Sequence, residues 1–268
     1  MDPQALLILG IAGLIAGVLA GLFGVGGGIL MVPVMRFLAE PLGWPPDRAM
    51  HFAVATSVAA VVPTAISSAR AHLRQNTVDR EIARLWAPPI AVAAGLAGAI
   101  AGGVSTEGLT LVFATLAVIV GLRMVAGSND WALRDTLPAP SVQRIVAAVI
   151  GWLSSWMGIG GGTLGVPALT ALGVGIHRAV GTAAVLGVAV SVPSLVGWLW
   201  AGRAEPAVAG PAMGYVQLAA WGAMVLPMML LAPMGARLAK RLPAPLLRRI
   251  FGLFLLCVSV ALFNRALR

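Results

Sequence analysis

Apolar and polar positions in this chain come in blocks and do not alternate. Continuous apolar runs occupy Leu6–Phe23, Phe52–Ala69, Leu85–Val104, Leu109–Val125, Ala179–Trp200, Met213–Met234 and Phe251–Phe263, with the charges gathered in short stretches between them. The long runs lie near the ~20 residues that a helix needs to cross a bilayer. A soluble core can bury one such helix, but not seven. The pattern predicts an all-α integral membrane protein. It excludes a barrel, whose strands would alternate apolar and polar residues.

Two segments that a helix interior disfavours interrupt this pattern. Gly24-Val25-Gly26-Gly27-Gly28-Ile29-Leu30-Met31-Val32-Pro33 returns as Gly158-Ile159-Gly160-Gly161-Gly162-Thr163-Leu164-Gly165-Val166-Pro167, with seven of ten positions identical at an offset of 134. A second pair follows in the same order: the stretch from His51 to Thr56 matches that from His177 to Thr182 at four of six positions, at an offset of 126. Matched signals in the same order predict a duplicated unit. The expected boundaries are an N-terminal transmembrane repeat over 1–128, a cytoplasmic linker over 129–141 and a C-terminal repeat over 142–268, together forming one transport domain.

Loop charges orient the units. Arg70–Arg84, Arg123–Arg144 and Arg237–Arg249 carry an excess of arginine and lysine and are expected inside; Ser105–Gly108 and Arg203–Glu205 are expected outside. The two units then enter the membrane from opposite faces, as inverted-topology repeats. The segments after the glycines, Ile29–Ala39 and Thr163–Leu172, hold about 11 residues, or ~16 Å of helix. They are expected to be broken or re-entrant half-helices beside about eight full spans.

Inverted repeats with short, Gly/Pro-interrupted segments at matching positions point to a transporter whose site lies near the midplane. Glycine lets the chain reverse at depth and leaves the next helix's first N–H groups open to an anion. Gly26, Gly27, Gly28, Gly160, Gly161 and Gly162 are therefore candidate substrate contacts, with hydroxyls from Thr56, Ser57 and Thr182. Gly24, Pro33, His51, Gly158, Pro167 and His177 are candidate helix-break or gating positions. The competing readings are plain: packing glycines, back-bonded hydroxyls and histidines that cap at the interface. Gly121, outside the motifs, is expected to tolerate alanine.

Composition narrows the function. The chain has 268 residues, 59% hydrophobic and 10% charged, with a mean hydropathy of +0.95. The net charge of +9 lies in short loops, so positive-inside bias explains it and no nucleic-acid partner is expected. A single cysteine, Cys257, rules out an internal disulfide. The start, Met1-Asp2-Pro3, has no basic n-region, and Leu6–Phe23 is read as a retained helix. No metal-ligand spacing, cofactor motif or Walker lysine appears, and no carboxylate falls inside a long apolar run. No enzyme chemistry is expected, and no coupling ion can be named.

Gly17-x3-Gly21-x2-Gly24-x-Gly26-Gly27-Gly28-x3-Val32-Pro33, followed by His51-x-Ala53-x-Ala55-Thr56-Ser57, resembles the N-terminal signature of the TauE/SafE family of sulfite and organosulfonate exporters. Gly158-x-Gly160-Gly161-Gly162-x3-Val166-Pro167 with Ala179-Val180-Gly181-Thr182 resembles its C-terminal signature. Arg74-x-Asn76-x-Val78-Asp79 looks like the family's cytoplasmic loop, and Gly235-Ala236-Arg237-Leu238 its late basic turn. Asn76 replaces a usual glycine, which Asn can do in a left-handed turn; Ala183 replaces a frequent serine. The resemblance implies a multi-pass protein of the bacterial or archaeal inner membrane, a secondary transporter of sulfite, organosulfonates or related small anions. Its expected partners are that anion and the lipid bilayer, with homo-oligomerisation open. The alternative is an anion channel or a non-transporting membrane scaffold.

Overall fold

The computed structural model describes residues 2–23, 27–126, 138–205, 210–238 and 244–266. Within them lie helices α1 (Pro3–Phe23), α2 (Gly28–Phe37), α3 (Ala49–Arg74), α4 (Arg80–Ile100), α5 (Thr106–Ala126), α6 (Pro140–Met157), α7 (Gly161–Ala171), α8 (Ile176–Ala201), α9 (Leu218–Leu238) and α10 (Ala244–Ala266). Eight of these have 18 residues or more, while α2 and α7 have 10 and 11. Five described stretches are long and apolar enough to cross a membrane: Pro46–Arg74, Arg80–Gly103, Thr106–Ala126, Ile176–Ala201 and Arg249–Ala266. The molecule is an all-α membrane protein.

One element departs from the apolar pattern. Met213–Met234 reads as a single run, but its start forms a two-residue antiparallel ribbon, Ala212–Met213 with Val216–Gln217. Gly214 turns it at φ +55, so α9 begins only at Leu218. The left-handed turn expected at Asn76 is present, at φ 55.

Packing follows helix chemistry. The central helix α3 is buried along most of its length and crosses α8. Around this pair α1 packs on α9, α4 on α6 and α8, and α5 on α10. Small residues allow the close crossings: a Cβ on Gly17 would stand 2.5 Å from the Met228 carbonyl, and one on Gly151 2.5 Å from that of Ile90. Outward-facing Leu7, Ile11, Val92, Leu96, Val196, Leu230 and Val260 are exposed. In water such a surface would be a liability; in a bilayer it is the lipid face. Cys257 is exposed as well.

Contacts at the helix ends fix the directions of the helices. Asp2 N–H donates to the Pro41 carbonyl (3.2 Å), and Trp44 stacks on Phe52 at 5.5 Å, so α1–α2 leave and return to the end where α3 begins. Trp86 Nε1 donates to Gln143 (3.1 Å) near the starts of α4 and α6. Thr182, near the start of α8, meets Asp79 at the end where α3 finishes. Thus α6–α7 leave and return to the opposite end, and α8 runs antiparallel to α3.

Candidate functional site

Gly158 ends α6 in the left-handed region, at φ +65. Its N–H donates to the Ser155 carbonyl (3.2 Å) and that of Ile159 to Ser154 (3.1 Å), closing the helix as a glycine C-cap does. Gly160 then opens α7 without a side-chain cap, so the first N–H groups of α7 lack the usual oxygen. A Cβ on Gly161 would stand 2.6 Å from Gly187 N, which fixes this turn against the backbone of α8. In the other half Gly27 precedes α2 at φ 72, again without a side-chain cap. Gly24 and Gly26 lie outside the described residues.

The two interruptions meet. A Cβ on Gly28 would overlap the Gly158 carbonyl oxygen and stand 3.1 Å from Ile159 Cα. Ser57 pins the junction. Its hydroxyl donates to the Gly158 carbonyl at 2.7 Å and lies 3.4 Å from that of Gly28. Ser57 is the ninth residue of α3, and Gly187 the twelfth of α8, so the junction sits well inside the bundle. Of the residues singled out in the sequence, Gly28, Ser57 and Gly158 are brought to this junction; Gly160, Gly161 and Gly162 follow it in the chain, with Gly161 against Gly187 of α8.

Thr56 and Thr182 serve elsewhere, in a matched pair of crossings between the halves. The Thr182 hydroxyl accepts from Asp79 N–H (2.9 Å), and that of Thr56 accepts from Gln217 N–H (3.1 Å). Asp79 Oδ1 accepts from Glu81 N–H (3.1 Å) and Ile82 N–H (3.2 Å) at the start of α4; Gln217 Oε1 accepts from Ala220 N–H (2.9 Å) at the start of α9. Each half thus clamps the N-cap of a helix in the other. A sequence reading could not pair these residues, because the partners are 103 and 161 positions apart.

The two histidines diverge. His51 is buried and its Nε2 donates to the carbonyls of Ala101 (3.1 Å) and Val104 (2.9 Å), capping the turn after α4. His177 is exposed at the start of α8. Pro33 and Pro167 lie inside α2 and α7.

Beside His51 is a polar cluster that the sequence did not reveal. Arg48 Nε lies 3.2 Å from Glu205, and its Nη1 donates to the Gly102 carbonyl (3.0 Å). The Tyr215 hydroxyl donates to Glu205, and its ring centroid lies 4.9 Å from that of His51. Burial, then the Glu205 carboxylate, raises the Tyr215 pKa well above the usual phenol range, so this group stays a donor. The cluster ties the halves together at one end. At the other, Arg178 faces Asp79 at 3.6 Å, with the arginine largely exposed.

The described residues include no group of three or more His, Cys, Asp or Glu placed to hold a metal. The chain matches the family described as Sulfite exporter TauE/SafE over residues 9–262. It is 31% identical to a "Probable membrane transporter protein" of Haemophilus influenzae over 253 residues, 94% of this chain and 96% of the other. A protein of the same name from Xylella fastidiosa is 28% identical, covering 99% and 98%. "Probable membrane transporter protein MJ0441" of Methanocaldococcus jannaschii is 26% identical, covering 93% and 94%. No solved structure matches the chain.

Proposed function

Because the chain belongs to the sulfite exporter TauE/SafE family, we propose that this multi-pass membrane transporter is a secondary carrier of small anions, with sulfite, organosulfonates and related sulfur-containing anions as its substrate class. It works in the inner membrane of a bacterial or archaeal cell as two inverted units, 1–128 and 142–268, joined by a cytoplasmic linker over 129–141. The carrying observation is the junction of the two helix interruptions within the bundle. Gly28 abuts the Gly158 carbonyl, Ser57 joins them, and two uncapped helix starts lie beside them. Uncapped N–H groups at depth must find an acceptor, and an anion provides one with help from the helix dipole. The antiparallel α3–α8 pair gives the units a common axis on which to rock.

The test is flux through purified protein in proteoliposomes. Radiolabelled sulfite, sulfate, sulfoacetate and a simple carboxylate are exchanged against the same anion inside. Saturable exchange of at least one oxyanion, without single-channel currents, is expected. Currents near open-channel rates would favour a channel, and no flux of any anion would favour a scaffold.

A further inference from the structure

The two interruptions match in sequence but not in the polar groups around them. Thr163, the third residue of α7, is 5% exposed, and its hydroxyl has no partner among the described residues. Ser191 in α8 is 1% exposed and likewise unpartnered. Leaving a buried hydroxyl unpaired costs about 1–3 kcal/mol, so two beside one helix start call for an explanation.

Both are aimed at the start of α7. On α8, Gly187 abuts Gly161, and the Ser194 hydroxyl bonds that of Ser155 at 2.7 Å. Ser191 lies four residues after Gly187 and three before Ser194, hence on the same face. It therefore faces the chain between Ser155 and Gly161. Side chains on a helix lean toward its N-terminus, so the Thr163 hydroxyl stands over the first turn of α7. Thr163 is two positions from Gly161, about 200° around the helix, and flanks that turn away from α8.

At the offsets that align the repeats, the first half puts Ile29 where the second has Thr163, and Ala65 where it has Ser191. The same alignment sets Ala20 and Gly21 against Ser154 and Ser155. At these four aligned positions the second half has a hydroxyl at three and the first at none; the reverse holds at Ser57 against Ala183, but the Ser57 hydroxyl is already engaged with the Gly158 carbonyl.

We propose that the ligand site is one-sided: a small oxyanion is held at the second interruption alone, by the first N–H groups of α7 and the hydroxyls of Thr163 and Ser191. This rests on the carrier reading above and makes it specific. The first half contributes the support of Ser57 and Gly28, not a second, equivalent site. With neutral donors only, the site recognises an ion with several acceptor oxygens and releases it readily. A halide would satisfy fewer of these donors.

The test is the binding of radiolabelled sulfite and of sulfoacetate to purified Ser191→Ala, Thr163→Val and Ile29→Val, together with thermal unfolding in detergent without ligand. Ser191→Ala and Thr163→Val should weaken binding roughly tenfold or more, since each loses a hydrogen bond to an anion. Without ligand they should unfold at the same or a higher temperature than the parent, because an unpaired hydroxyl has been removed. Ile29→Val should bind as the parent does. Parent-like binding by both hydroxyl variants, or equal loss in Ile29→Val, would overturn the one-sided site while leaving a carrier. Lower unfolding temperatures or misfolding of both would assign the hydroxyls to packing and overturn it too. Failure of the parent to bind either oxyanion would overturn this site, and only the absence of flux for every anion would remove the carrier reading.

Discussion

Ser57 shows how much one hydroxyl can hold. It donates to the carbonyl of Gly158, a backbone group that ends one helix deep in the bundle. Ser57→Ala leaves that carbonyl without this donor and should cost about 1–3 kcal/mol, read as a lower unfolding temperature of purified protein. The glycines separate into two kinds. Gly161→Ala would drive a methyl group into the Gly187 backbone and should cost about 1–3 kcal/mol or more; Gly158→Ala adds strain at φ +65. Loss of function in such variants reports packing as much as ligand contact, which is why the hydroxyls are the better probes. At Gly121 a Cβ would stand 3.0 Å from the Gly252 carbonyl where α5 crosses α10, so its tolerance of alanine turns on whether that contact gives. Gly222, with nothing within 4 Å, is the proper control. Sequence located the glycines because the motif repeats, and Ser57 because it directly follows the repeated stretch at Thr56. It could not show what they touch, because Gly158 is 101 positions from Ser57.

At the scale of elements, the short helices were legible and their supports were not. Eleven apolar residues after a glycine run cannot span hydrocarbon, and α2 and α7 are indeed 10 and 11 residues long. The ribbon before α9 was hidden, because Met213, Tyr215 and Val216 suit a strand as well as an apolar helix. The repeated threonines read as site hydroxyls; they clamp the starts of α4 and α9 from the opposite half. Thr182→Val should free the Asp79 amide, and Thr56→Val the Gln217 amide. Hydrogen exchange should therefore quicken at Asp79 in the first variant and at Gln217 in the second. Exchange unchanged at both amides would mean that the clamps contribute nothing.

For the whole molecule, the antiparallel crossing of α3 and α8 places the Arg70–Arg84 loop and the Arg203–Glu205 turn at opposite ends of the bundle. In a Cys257→Ala background, Gln75→Cys should label only from the cytoplasm and Arg203→Cys only from outside. Labelling of both from one face would break the inverted arrangement. The cluster of Arg48, Glu205 and Tyr215 closes one end by joining the two halves, and a rocking carrier must open it. Glu205→Gln removes the ion pair and should raise the labelling rate of a cysteine at Asp47 from outside. What sequence could not supply at this scale is an asymmetry: paired motifs predict one site shared by both half-helices, whereas the unpartnered hydroxyls of Thr163 and Ser191 both belong to the second half. That the chain holds a single anion site is the central claim, and the number of anions bound per chain tests it most directly. Equilibrium dialysis of radiolabelled sulfite and sulfoacetate against purified protein of known concentration should saturate at one ion per chain. Two per chain, or none for either anion, would contradict the account.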